Sequence, residues 1–414
     1  MGPAPAGNHG FLRRDPRYPY SFVWDDGTRY FMWGQTYYQI VLNAMADGGW
    51  RTAIDRTISY GMNKVRLLLT PWCASGSSVY PCVYPFVGND HDVLNAPYWQ
   101  TLDRIIEHLE TSNTVADLII FTDASTAFGT QAQDERYLRY ALARFGAYHH
   151  VIWTLTNEWN FTKQPQSYWN AMGRVVRRED PWMARDRFLR PLSIHQRTRM
   201  DFEFSGSGWP VHAVIQFGLR NGRYPHGDEW GNAGIVFNRR WGMPVVNDEY
   251  GYIGEQPQGV VARYDRGQYR RVIWGIAVGG GYGSAGDCGK HPCDKTSPIF
   301  TADWEDQDEY LDIRNLVNFW TTKGIQYWKM SPGNHLVTDG TRVYVLAAPG
   351  DEYVAYSATG EPFTLRLPAG TYTVEWFNPE TGAVTGSGPF STRTASRAFV
   401  PPFVGDAVLH LKRR

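Results

Sequence analysis

The sequence predicts a (β/α)8 barrel followed by a small C-terminal β-sandwich, and three observations carry that expectation. Short, continuous apolar runs alternate with amphipathic helical segments, the pattern of parallel strands covered on both faces. Eight such runs fall within roughly 250 residues, the usual length of a closed barrel. After about Val337 the texture changes to short alternating strands, "RVYVLAAP", "YVAYSA", "FTLRLP" and "YTVEWFNPETG", divided by Gly, Pro and Asp turns. The 414 residues therefore divide into an N-terminal segment and hairpin over 1–28, a barrel over 29–336 and a sandwich over 337–414.

Each element has its own signal. "FVWDDGTRYFMWGQTYY" holds two aromatic strand segments around Asp26-Gly27, a strong hairpin pair. Its second arm, Tyr30 to Gly34, leads into the main domain as the first barrel strand. Trp50, Ala53, Ile54 and Ile58 then recur at helical spacing, Gly61 stops the helix, and "KVRLLLT" follows as a buried strand. The alternation repeats: Trp99, Leu102, Ile105, Ile106 and Leu109 line one helical face before "ADLIIFTD", and "RYLRYALARFGAYHH" precedes "VIWTLT". The remaining strand candidates are "PLSIH", "AVIQF", "MPVVN" and "VIWGIAV". No glycine-rich phosphate loop follows the first strand, which removes the main reason to prefer an open nucleotide-binding sheet.

Charge and cysteines restrict the partners. Forty-one basic residues balance 41 acidic ones with no Lys/Arg run, so neither nucleic acid nor an anionic membrane is expected as a partner. No apolar stretch approaches the roughly 20 residues of a membrane span. "MGPAPAGNHG" lacks the plan of a secretory signal. The four cysteines form two local pairs, Cys73 with Cys82 and Cys288 with Cys293, read as loop-stapling disulfides. A secreted or periplasmic location, with a leader absent from this chain, is expected; the cytoplasm is the alternative. "CGKHPC" lacks a second Cys/His pair, so no metal or cofactor is expected, and the oligomeric state is left open.

Barrel enzymes place their chemistry at the C-terminal ends of the strands. Gln35 and Tyr37 fall after strand one, Arg66 within strand two and Trp72 just beyond it. Asp123 follows strand three, Asn157 and Glu158 strand four, and His195 strand five. Gln216 lies in strand six, Asp248 and Glu249 after strand seven, and Tyr282 after strand eight. Glu158 and Glu249 both end strongly apolar strands on roughly opposite sides of the barrel. Paired carboxyl groups across a sugar-sized cleft suit glycosidic cleavage, one protonating the leaving oxygen and the other attacking the anomeric carbon or activating water. Trp72, Trp159, Trp209, Trp230 and Tyr282 fall in expected loops, where aromatic rings stack on sugars or simply anchor the loop.

Asn157-Glu158 after strand four, Glu249 in "MPVVNDEYGY" and Arg66 in "NKVRLLL" resemble the retaining barrel glycoside hydrolases of clan A. More narrowly, "FMWGQTYY", "SIHQ", "NDEYGY", "WGIAVGGGYG" and "VEWFNPETGAV" resemble the apiosidase-like family, with its C-terminal collagen-binding-type β-sandwich. The resemblance runs from about Phe22 to the end. It implies Glu158 as general acid/base, Glu249 as nucleophile and Asn157 as donor to the neighbouring sugar hydroxyl. Arg66 becomes the cation that keeps Glu249 ionised. Where the family tends to end its first strand in Gly-Asp-Thr, this chain has Gly34-Gln35-Thr36, which shifts the expected substrate choice. The expected function is a retaining glycosidase acting on plant or microbial polysaccharide or oligosaccharide. The alternative is a non-catalytic carbohydrate- or matrix-binding protein, which has no need of paired acids. A metallopeptidase is disfavoured because no H-E-x-x-H occurs.

Overall fold

A computed structural model describes residues 7–71, 80–88, 90–122, 128–185, 188–197, 199–216, 226–253, 263–285, 308–393 and 395–414. Eight parallel strands form the barrel: β1 (Trp33–Tyr37), β2 (Lys64–Leu68), β3 (Val115–Phe121), β4 (Val151–Thr156), β5 (Leu192–Ser193), β6 (Ala213–Ile215), β7 (Val245–Asn247) and β8 (Tyr282–Ala285). Their order is β5-β4-β3-β2-β1-β8-β7-β6, and a parallel bridge from His195 to Val214 closes β5 onto β6. The helices that cover them include α1 (Trp50–Ser59), α2 (Ala96–Thr111), α3 (Gln131–Phe145), α4 (Gln166–Glu179), α5 (Gly227–Asn238), α6 (Arg266–Val278) and α7 (Asp308–Thr322).

The register shows which residues face the barrel axis. Gly34 lies beside Lys64 and Thr36 beside Arg66, while Arg66 in turn lies beside Asp117. Side chains in one row share a face, so Lys64, Arg66 and Asp117 point inward with Gly34 and Thr36. A Cβ on Gly34 would stand 2.4 Å from the Lys64 carbonyl oxygen, so glycine here permits the close approach of the two strands.

The eighth strand corrects the expectation from the sequence. "VIWGIAV" belongs to α6, and the strand is the next segment, Tyr282–Ala285. The second half of the helix, residues 272–278, is apolar and buried throughout because it is covered on both sides. Its Trp274 stacks on Tyr356 with centroids 5.7 Å apart and lies 5.8 Å from Phe377, both from the C-terminal part of the chain. Such a run has no polar face from which a helical period could be read.

Phe22–Trp24 pairs with Leu12–Arg14 and with Arg29–Tyr30 in a small antiparallel sheet beneath the barrel, with Gly27 at φ 92° in the turn. At the other end of the chain, a six-stranded and a three-stranded antiparallel sheet enclose a second apolar core that includes Val345, Leu365, Trp376 and Leu409. Arg270 of α6 binds Asp406 through Nε at 3.1 Å and Nη2 at 2.9 Å, and Tyr356 donates to the same carboxylate at 2.9 Å. These buried contacts tie the sandwich to the barrel. No helix among the described residues is long and apolar enough to cross a membrane.

Candidate active site

Two charged layers fill the upper half of the barrel. In the lower one, Lys64 Nζ lies 2.7 Å from Asp248 and 3.4 Å from Asp117, all three side chains being essentially without exposure. Ser284 donates to Asp248 at 2.6 Å and Thr154 to Asp117 at 2.7 Å. Burial works against a charge on Asp248, yet Lys64 and Arg66 overcome it and hold the carboxyl well below its ordinary range. For Asp117 burial outweighs Lys64, and its carboxyl is pushed up. Asp248 is thus a core ion-pair partner, while its neighbour Glu249 stands at the rim, 7 % exposed.

The upper layer is organised by Arg66. Its Nη2 donates to Asn157 Oδ1 at 2.9 Å, and its Nε lies 3.7 Å from Asp248. His195 Nδ1 is 2.8 Å from the same Asn157 oxygen. A carbonyl oxygen only accepts, so the consistent assignment places the His195 proton on Nδ1 and leaves Nε2 with the lone pair. The 3.1 Å approach of Arg66 Nη2 to Nδ1 is then a close contact rather than a hydrogen bond. Burial and the Arg66 cation push the His195 ring well down, so it is neutral. With its oxygen held from two sides, Asn157 turns its amide N–H groups the other way.

Glu158 follows Asn157 in the left-handed region, φ 37° and ψ 60°. A non-glycine residue there costs on the order of 1–2 kcal/mol, and such strain persists where the surroundings enforce it. Its carboxylate lies 3.9 Å from Arg197 Nε and keeps partial exposure. We expect Glu158→Gly to raise unfolding free energy by about 1 kcal/mol or leave it level. A clear loss of stability in urea unfolding would contradict the strain.

Tyr38, the half-buried residue just beyond β1, reports on both acids. Burial pushes its phenol well up, the Glu249 carboxylate adds to that, Arg66 opposes it and Glu158 adds again. Arg66 is acted on likewise: burial works against its charge, and Asp248, Tyr38, Asp117 and Glu249 support it. Glu158, Glu249, Tyr38, Arg66 and Asn157 therefore share one mouth.

Several other expected residues face away from this mouth. Tyr37 turns outward, where its hydroxyl meets the Ala53 carbonyl at 3.1 Å and Thr57 at 2.8 Å beside α1. Gln35 shares its row with Val65 and Ala285 and turns with them towards the helices. Tyr282 begins β8 instead of following it, and its hydroxyl donates to the Tyr20 carbonyl at 3.2 Å on the N-terminal side. His195 is fully buried and touches Asn157 rather than the cleft. Gln216 follows β6 directly, with its Oε1 buried and unbonded among the described residues. Trp72 and Asp123 lie outside the described residues. Among the aromatics, Trp209 is buried and donates to Asn170, Trp230 is buried in α5, and half-buried Trp159 packs edge-on against Phe204. Cys82 is disulfide-bonded. Cys73, Cys288 and Cys293 lie outside the described residues, so the two pairings stay an expectation.

A parallel eight-stranded barrel with acids following β4 and β7 and an appended β-sandwich is the architecture of a barrel enzyme, with any site at the C-terminal ends of the strands. The apiosidase-like catalytic domain matches residues 19–293, well over half of the chain, and the chain belongs to that family. Residues 332–412 match a family described as "Putative collagen-binding domain of a collagenase". No curated protein matches the chain by sequence. Among solved structures, a "putative glycoside hydrolase" from Bacteroides vulgatus superposes with a TM-score of 0.78 at 21 % identity, covering 100 % of this chain and 84 % of that one. A family 5 glycoside hydrolase from the same organism gives 0.76 at 15 %, covering 98 % and 94 %. A family 5 mannosidase from Rhizomucor miehei gives 0.56 at 12 %, covering 76 % and 98 %. These likenesses are to the fold. Together with the family they support a glycosidase activity.

Proposed function

We propose that the protein is a retaining glycosidase acting on plant or microbial polysaccharide or oligosaccharide. The observation that carries this reading is that Glu158 and Glu249 both act on Tyr38, and that Glu249 also acts on Arg66. Glu249, beside the Arg66 cation, attacks the anomeric carbon as the nucleophile. Glu158 protonates the departing glycosidic oxygen and then takes a proton from the water that releases the glycosyl-enzyme. Asn157, its oxygen held by Arg66 and His195, donates to the sugar hydroxyl next to the anomeric carbon.

The same reading divides the chain at 1–28, 29–336 and 337–414, with the sandwich serving to pack against α6 through Trp274 and Arg270. Proton NMR of the first-formed anomer, on aryl arabino-, galacto-, gluco- and apio-glycosides and on polysaccharides, tests the mechanism. Retention is expected, as for carboxyl groups about 5–5.5 Å apart. An inverted product removes Glu249 as nucleophile. No cleavage, combined with retardation in a polysaccharide affinity gel, favours the carbohydrate-binding alternative.

A further inference from the structure

On the face of the barrel opposite Glu158 and Glu249, the last turn of α2 and the two residues before β4 bring three metal-ligating side chains together. Glu110, His149 and His150 each offer a ligand atom, and these atoms lie within 4.8 Å of one another. His149 Nδ1 stands 3.4 Å from Glu110 Oε1. Two ligands held at about 2.0–2.1 Å on a tetrahedral ion lie about 3.3 Å apart, so this pair is already at coordinating separation.

His150 carries the inference furthest. The residue is 1 % exposed, and its Nε2 lies 3.1 Å from the Ile106 carbonyl oxygen. Because that oxygen only accepts, the proton sits on Nε2 and the lone pair on Nδ1. Nδ1 is buried and has no hydrogen-bond partner among the described residues. Leaving such an atom unbonded is costly in a core. An imidazole whose far N–H is anchored on a backbone carbonyl, leaving its other nitrogen unbonded beside Glu110 and His149, suits a metal-bound histidine.

A cation held here would meet charges of both signs. Arg190 is the opposing charge. Its guanidinium is engaged by Asp180 at 3.2 Å and by the carbonyl oxygens of Gly146 and Tyr148. Glu110, with 39 % of its side chain exposed, offers the countercharge and the entry path for an ion and its waters.

We propose that Glu110, His149 and His150 bind one divalent ion of the zinc type, completed by water, which ties the end of α2 to the start of β4. Two imidazoles and a carboxylate suit zinc and its neighbours better than the hard ions that take only oxygen. Lying at the N-terminal face, where barrels place stability rather than chemistry, the ion is structural.

The test uses the full chain, stripped with chelator and titrated with zinc chloride and, separately, cobalt chloride. One equivalent of zinc is expected to bind and raise the thermal midpoint, and cobalt to give the visible absorption of a low-coordinate site. Glu110→Gln and His149→Gln, each folded by circular dichroism in metal-free buffer, should weaken zinc binding by more than about 100-fold. Absence of saturable binding at micromolar zinc overturns the proposal. Undiminished binding in the double variant also overturns it, because the ion then sits elsewhere, for example at the cysteine-containing loops.

Discussion

Glu249→Gln is expected to lower turnover by about 10⁴-fold or more on every substrate, because an amide neither attacks the anomeric carbon nor carries the charge that Arg66 supports. Glu158→Gln should behave differently. It should cost about 10²–10⁴-fold where the leaving group needs a proton. Activated aryl glycosides, whose phenolates depart unaided, should still form the glycosyl-enzyme, giving a burst followed by slow release. Steady-state and burst kinetics on substrates of graded leaving-group acidity separate the two roles. Equal losses across that series in both variants would remove the division of labour between the acids. Near-normal turnover in either would remove that residue from the mechanism.

Lys64→Met is expected to lower unfolding free energy by about 3–5 kcal/mol, the usual cost of breaking a buried ion pair from one side. The substitution keeps the side-chain length but leaves Asp117 and Asp248 buried together, with Arg66 Nε at 3.7 Å from Asp248. Adding Asp248→Asn should recover part of the loss, since the uncompensated charge then disappears. The sign of the pH effect follows from the depressed folded value of Asp248. Its contribution is fully present above the ordinary carboxylate value and is lost as pH falls through the folded one. Acid should therefore narrow the gap between wild type and Lys64→Met below about pH 4. A loss under about 1 kcal/mol in urea unfolding, or no recovery in the double variant, would mean that the triad is not coupled.

The barrel was readable where strands are covered on both faces. "KVRLLLT", "ADLIIFTD" and "VIWTLT" lie at β2, β3 and β4 because a parallel strand between axis and helices has no wet side to interrupt its apolar run. The same reasoning misassigned "VIWGIAV": this half of α6 is wedged between barrel and sandwich, and a helical run without a wet face looks like a strand. That error moved the expected end of β8 and turned Tyr282 from a residue of the floor into one of the mouth. Tyr37 failed for a different reason, since its neighbour Tyr38 occupies the inward position and a one-residue slip exchanges the faces.

Local chemistry along the chain determined the succession of strands and helices, the change to a sandwich, and the abrupt polar endings after "VIWTLT" and "MPVVN" that mark Glu158 and Glu249. Burial preference and hydrogen-bonding demand act residue by residue, so their traces survive in one dimension. Tertiary structure alone decided which of Asp248 and Glu249 serves the core and which the rim, because that depends on Lys64, 184 positions away in sequence. It also decided that His195 orients Asn157, and that Glu110 meets His149 and His150. Each of these depends on distances across the barrel of a few ångströms between residues far apart in sequence, and Coulomb and hydrogen-bond energies depend on those distances, not on sequence spacing.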